Sequence, residues 1–287
     1  MGRLDRLLNK ADSLSETGRF EEALKVLDKA YRIAPDDPEV YLSIALTYDA
    51  MEQYTSSIIF FEKALELNPE DENVLTHFGT TLCKQNRFEE ALSLYEKALS
   101  IDPANTFAKW QSGLAYKQLG FYEDALGIFF QCIENDDRSE YLKEEIYYQI
   151  GLCYYDMGWM LDAVKEFNNH LTLNPEDHWA KLSIGNCYFD MGWIDESISK
   201  FKELVNSTPD FIPAYNALAF SFAEKGWYSE ALETLRTAQA IDPDDQSIKD
   251  SIDYIESLLD DDGGKALIFL ALLMEIYYRN RNIAFDP

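Results

Sequence analysis

Chemistry needs nucleophiles, acid–base groups or ligating clusters at usable spacing, and this chain is poor in all three. Its histidines are His77, His170 and His178, and its cysteines are Cys83, Cys132, Cys153 and Cys187. His170 and His178 are too far apart to share one helix face as metal ligands. No CxxC pair and no Cys/His zinc spacing occurs, so the cysteines read as free thiols. There is no phosphate-cradling glycine loop, HExxH or nucleophile elbow. No residue is assigned to catalysis, to a metal or to a cofactor, and the chain is read as not an enzyme.

What the chain does carry is the chemistry of recognition. It holds 18 tyrosines, 17 phenylalanines and 5 tryptophans, and every tryptophan falls between Trp110 and Trp227. Aromatic side chains supply large contact area for little lost rotamer freedom, and amides among them can bond the backbone of an extended peptide. The formal charge of −27 argues against phosphate backbones and anionic membrane surfaces and favours partners with basic segments. With 47% hydrophobic and 27% charged residues, the composition is that of a folded domain. Arg3 and Arg6 precede no apolar signal-peptide stretch, and Arg6 stands where a myristoylation motif wants Ser or Thr. A reducing cytoplasm is the expected location.

The elements that position these residues follow from a repeat. The line is rewritten every 34 residues, clearest in "EKALELNPE", "EKALSIDPA" and "AQAIDPD". Seven copies run 4–37, 38–71, 72–105, 106–143, 144–177, 178–211 and 212–245, the fourth longer by four residues. Position 8 is always small: Ala11, Ala45, Gly79, Gly113, Gly151, Gly185 and Ala219. Position 20 is small as well: Ala23, Ser57, Ala91, Ala125, Ala163, Ser197 and Ala231. Position 24 is large: Leu27, Phe61, Tyr95, Phe129, Phe167, Phe201 and Leu235. Two crossing helices need small residues where their axes approach and a bulky one beside them. Each copy is therefore a helical hairpin. Gly18, Gly120, Gly158, Gly192 and Gly226 sit at the turn, and proline at position 32 stops the second helix in six copies.

This pattern resembles the tetratricopeptide repeat family over about residues 4 to 245. The fourth copy departs from it with Asp137 in place of proline, and Cys132, His170 and Leu204 replace the alanine of position 27. These departures predict looser or altered packing in the middle of the array, with His170 on the packing side and Cys153 and Cys187 as small buried fillers. The resemblance implies an all-α fold, a right-handed superhelical α-solenoid whose first helices line a concave groove. Residues 246–262 read as an acidic solvating cap helix. Beyond them, 265–279 form an apolar helix (Leu267, Phe269, Leu270, Leu273, Ile276 and Tyr277). This helix is too short to span a bilayer; it either caps the array, fills the groove or pairs with a second copy.

The resemblance also assigns positions 2, 5, 6, 9, 12 and 13 to the groove. Copies 1 to 3 place mainly small and acidic groups there, among them Asp12, Glu39, Asp49 and His77, and read as scaffold. Copies 4 to 6 place Phe107, Trp110, Gln111, Lys117, Tyr148, Gln149, Tyr155, Trp179, Asn186 and Phe189. Asn186 stands where peptide-binding members contact the ligand main chain. The competing reading is that some of these rings pack between repeats. The co-chaperone carboxylate clamp of the family is absent, since Leu8, Asp12, Ser43, Asn73 and His77 occupy its positions. At position 16, Phe121, Trp159, Trp193 and Trp227 form either an exposed apolar edge or rings folded over the neighbouring turn. The function expected is a scaffold or adaptor that binds a peptide or helical segment with basic flanks. A self-assembling homo-oligomer and a regulatory subunit of an enzyme complex are the alternatives.

Overall fold

The computed structural model describes residues 2–135 and 140–260, and the predicted 265–279 helix with Leu267 to Tyr277, like Asp137, lies outside them. Among the described residues the chain is entirely helical, with fifteen helices and no strand. Contacts divide it into two units, residues 1–139 and 140–287.

The first unit holds four hairpins: α1 (Arg3–Glu16) with α2 (Phe20–Ile33), α3 (Pro38–Ala50) with α4 (Tyr54–Leu67), α5 (Glu72–Lys84) with α6 (Phe88–Ile101), and α7 (Thr106–Gln118) with α8 (Tyr122–Asn135). The second holds three: α9 (Glu140–Asp156) with α10 (Met160–Leu173), α11 (His178–Asp190) with α12 (Ile194–Ser207), and α13 (Ile212–Glu224) with α14 (Tyr228–Ile241). They are followed by α15 (Gln246–Asp260). Helix α9 starts four residues ahead of the repeat register, so the extra residues lengthen it to 17 residues, against 13 in α11 and α13.

Inside each hairpin the small and large positions meet as the spacing demands. Leu27, Phe61, Tyr95, Phe129, Phe167, Phe201 and Leu235 are all fully buried. The fit behind four of them excludes even a methyl group. A Cβ on Gly79 or Gly113 would lie 2.5 Å from a ring carbon of Tyr95 or Phe129, and one on Gly151 would lie 2.7 Å from Phe167. A Cβ on Gly185 would overlap Phe201. Glycine pairs with an aromatic ring and alanine with leucine (Ala11 with Leu27, Ala219 with Leu235), Ala45 beside Phe61 being the exception. Volume at one site is balanced by volume at the other.

Between helices the backbone turns through the left-handed region. Gly18, Gly120, Gly158, Gly192 and Gly226 have φ between 72° and 79°; Glu52 and Asn86 take φ 58° and 59° at the same repeat position. Glu52 bears steric strain there that glycine would not.

Hairpins join through their first helices. In the first unit α1 packs on α3, α3 on α5 and α5 on α7; in the second, α11 packs on α13 and α13 on α15. Second helices make at most marginal contact with one another. Within each unit a second helix instead packs on the first helix that follows, as α10 does on α11 and α12 on α13. This arrangement brings successive first helices of a unit side by side. Helix entry is fixed by an acid or amide at position 34, a signal the sequence reading passed over. Asp71 accepts from the Val74 N–H (3.1 Å), Asn105 from Ala108 (2.8 Å) and Asp177 from Trp179 and Ala180 (2.7 and 3.0 Å). Helices α2, α6, α10, α12 and α14 have no such cap, and acids in their first turns answer the helix dipole instead.

The middle of the array is altered in packing but not loosened. Cys132, His170 and Leu204 are each buried to 1% exposure at position 27, and Cys153 and Cys187 are fully buried fillers.

Gly185→Ala should destabilise the protein by about 1–3 kcal/mol through overpacking against Phe201. Combining it with Phe201→Leu should cost less than the sum of the two single changes, because the smaller side chain restores room for the methyl. Denaturant unfolding of the four proteins measures this coupling; strictly additive costs would contradict the volume balance.

Candidate functional site

The candidate residues fall on the first-helix layers of both units, and the structure distributes them rather than collecting them into one cluster. Phe107, Trp110, Gln111 and Lys117 lie on α7 of the first unit, whereas Tyr148, Gln149, Tyr155, Trp179, Asn186 and Phe189 lie on α9 and α11 of the second.

In the first unit Trp110 is buried at 8% exposure with its ring 5.2 Å from that of Phe129. Its main role is packing, the alternative that the sequence left open for these rings. Phe107 is exposed, its ring 6.1 Å from His77 on the preceding first helix. Gln111 and Lys117 are half-buried.

The same layer carries carboxylates that the sequence reading took as scaffold. Burial pushes the Asp12 carboxyl up, as does the charge of Glu16, although a hydrogen bond with Ser43 opposes both. Burial also raises Glu39, helped by Asp37, Asp71 and Asp12. Lys84 is engaged at 2.6 Å by Asp49, which also accepts from Thr81. Burial lowers the pKa of His77 against the pull of Asp49 and Glu72, so it adds no positive charge near neutral pH. The face is therefore acidic and incompletely neutralised.

In the second unit several candidates are committed to the fold. Tyr155 is buried, and its hydroxyl donates to Asp190 of the next first helix. Gln149 is buried and donates to Glu145 at 2.9 Å. Tyr148 is half-buried, its ring 5.5 Å from Phe167 and 5.3 Å from His170. Two others point to recognition. Trp179 is 39% exposed and rests edge-on against Phe211 at 5.0 Å. Asn186 is only 8% exposed, yet among the described residues its side-chain amide makes no hydrogen bond. Its polar atoms still reach solvent, so they are open to a hydrogen-bonding ligand. On the adjacent first helix, Asn216 donates to Ser247 at 3.2 Å while its amide oxygen is buried and unpaired. Asn216 escaped the sequence reading because a lone Asn carries no signal of burial. Phe189 is half-buried.

The position-16 aromatics combine the two alternatives posed for them. Phe121, Trp159, Trp193 and Trp227 are all exposed, yet each lies over the aromatic ring five residues earlier. Trp159 stacks on Tyr154 at 5.8 Å and Trp193 on Tyr188 at 5.9 Å; Trp227 tilts over Phe222 and Phe121 meets Tyr116 edge-on.

His170 is a structural clasp, the role its packing-side position predicts. Its Nδ1 faces the Glu144 carbonyl at 2.9 Å and its Nε2 faces the Asp177 carboxylate at 2.8 Å. Both partners only accept, so the ring satisfies them fully as imidazolium. Burial alone would lower its pKa, but the bonds to Asp177 and Glu144 and their charges outweigh burial and raise it. Burial likewise works to raise Asp177, and the bonds from His170 and from the Ala180 and Trp179 N–H groups bring it below the usual value. The clasp ties α9 and α10 to the N-cap of α11. Among the described residues no group of His, Cys, Asp and Glu could hold a metal ion, and no helix is long and apolar enough to cross a membrane.

Family models described as tetratricopeptide repeat match residues 3–70 and, separately, 144–177 and 212–245; one described as TPR repeat matches 79–120. No curated protein matches the chain. Solved structures share the fold. The C-terminal part of a TPR repeat-containing protein from Cytophaga hutchinsonii is 17% identical with TM-score 0.67, covering 85% of this chain and 99% of that one. A tetratricopeptide repeat protein from Parabacteroides merdae is 17% identical with TM-score 0.63, covering 88% and 98%. A chain of the APC/C hetero-tetramer Cut9–Hcn1 is 16% identical with TM-score 0.60, covering 85% of this chain and 48% of that one.

The raised pKa of His170 sets the sign of a pH effect. Stability from its charged form is complete below about pH 6.5, the ordinary histidine value, and is lost as pH rises through the raised folded value. The contribution of Asp177 is present above about pH 3.9 and is lost as pH falls through its lowered value. His170→Ala should cost about 2–3 kcal/mol near pH 6, and the gap from the unaltered protein should narrow in alkaline buffer. Urea unfolding across pH tests this, and a gap independent of pH would refute the charged clasp.

Proposed function

Because the chain belongs to the tetratricopeptide repeat family, we propose that it is a non-catalytic scaffold that holds an extended or helical segment of a partner protein on the first-helix layer of its second unit. The observation that carries this reading is Asn186, whose side-chain amide makes no hydrogen bond among the described residues and keeps its polar atoms within reach of solvent, where a peptide backbone could engage them. Trp179, exposed beside it on α11, offers an aromatic anchor. Asn216 on α13 adds a second incompletely satisfied amide.

The partner carries basic flanks, in keeping with the net charge of −27. The same charge disfavours nucleic acid and anionic membranes as partners. Assembly with other proteins is what Cut9 does in the hetero-tetramer with Hcn1, and a comparable adaptor role suits this chain. Four cysteines that form no disulfide suit the reducing cytoplasm.

Replacing Asn186 and Trp179 with alanine tests the reading. Trp110 and Tyr155 are poorer choices, since both are buried and their loss would damage packing. The double variant should keep its helicity and cooperative unfolding, since it removes one amide that makes no hydrogen bond and one ring that is partly in solvent. It should nevertheless lose about tenfold or more in affinity for the partner that the unaltered protein retains on a column, two anchors together costing more than 1.4 kcal/mol. Equal capture by both proteins would sink the proposal.

A further inference from the structure

The second unit carries a surface away from the first-helix layer whose chemistry the scaffold reading leaves unused. It lies at the start of the second helices, where position 16 and the acid at position 19 stand together. In copies 1 and 3 of the first unit the two positions form an internal clasp, whereas copy 4 has Phe121 and Asp124 there, a smaller ring that meets Tyr116 edge-on. Arg19 donates to both carboxylate oxygens of Glu22 at 2.9 and 2.7 Å, and Arg87 does the same to Glu90 at 2.7 and 2.8 Å. Where Gln53 replaces the arginine, position 19 is Ser56 and the acid is absent too.

In the second unit the arginine becomes Trp159, Trp193 and Trp227, yet the acid stays as Asp162, Glu196 and Glu230. These carboxylates are exposed, and among the described residues none forms an ion pair with a lysine or arginine. The indoles are 51%, 44% and 43% exposed. Trp159 and Trp193 are each backed by a near-parallel tyrosine ring, at 18° and 17°, which holds the indole still with much of its surface in water.

One of the three sites already holds a cation. The Lys225 ammonium lies 4.6 Å from the Trp227 ring centroid and is ion-paired to Asp195 of the preceding repeat. Lys202 lies 5.1 Å over Phe222, the ring behind Trp227. The positions equivalent to Lys225 are Met157 and Met191 in the other two repeats, and no described cation sits over Trp159 or Trp193. A planar guanidinium can stack on an indole and fork to a carboxylate at once.

We propose that Trp159 with Asp162, and Trp193 with Glu196, are docking sites for arginine side chains of a partner segment, the Trp227 site being filled by the protein's own Lys225. Charge selects this occupant. A second copy of the chain would bring the same acids and the same −27 against them, whereas an arginine-bearing segment neutralises both.

The test is binding of a labelled synthetic Arg-Gly-Ser repeat peptide to the full chain, read by fluorescence anisotropy at near-physiological salt. Trp159→Leu with Trp193→Leu removes the π faces and keeps apolar bulk, and should weaken binding about twofold to fivefold per site. Trp159→Phe with Trp193→Phe should retain most of the affinity. Lys225→Met frees the third indole and should tighten binding, and this gain should vanish when Trp227→Leu is added. Generic attraction to an acidic surface would instead survive both leucine changes, and that outcome overturns the proposal. So does a Lys225→Met gain that persists without Trp227. If the leucine variant fails to fold, the Lys225 and Trp227 arm decides alone. Sedimentation showing a dimer that the leucine changes dissociate, with peptide affinity unaltered, would assign the edge to a second copy and reject the arginine sites.

Discussion

The close approach of two helices over a side chain with no room to spare governs this molecule. Glycine at position 8 lets the first helix press onto the ring at position 24, and that ring then fills the space which would otherwise separate the pair. Because the approach is fixed in every hairpin, the first helices come to lie beside one another and the second helices pack against the next repeat. The first-helix face with Asn186 and Trp179, and the edge with the stacked indoles, are both products of that one spacing.

The repeat pattern made the hairpins and their packing legible, since small and large residues recur at fixed offsets and only one arrangement buries both. The turn was legible through its glycines, although Glu52 and Asn86 adopt the same left-handed conformation without that signature. The clasp made by His170 followed from its place on the packing side, but its partners did not. They come from Glu144 and Asp177, which only the folded chain brings to the ring.

The candidate site was less readable for a physical reason. Aromatic residues serve packing and recognition equally well, so Trp110 and Trp179 look alike in sequence while one is buried and the other exposed. The family register says which helix face a residue occupies, not how deeply it sinks or whether a neighbour such as Asp190 has claimed its polar atom. Acidic groups suffered the opposite error. Asp12 and Glu39 read as inert, but desolvation and neighbouring carboxylates push both their carboxyls above the ordinary value.

Within each unit the helices touch only near neighbours in the chain, as α1 touches α2 and α3. Such a topology has low contact order, so loop closure costs little and folding can start at any hairpin and spread. During synthesis, the early hairpins can close as they leave the ribosome, without waiting for distant sequence. A nascent chain of this design leaves uncovered chiefly the apolar face of its newest hairpin, which the next hairpin then buries.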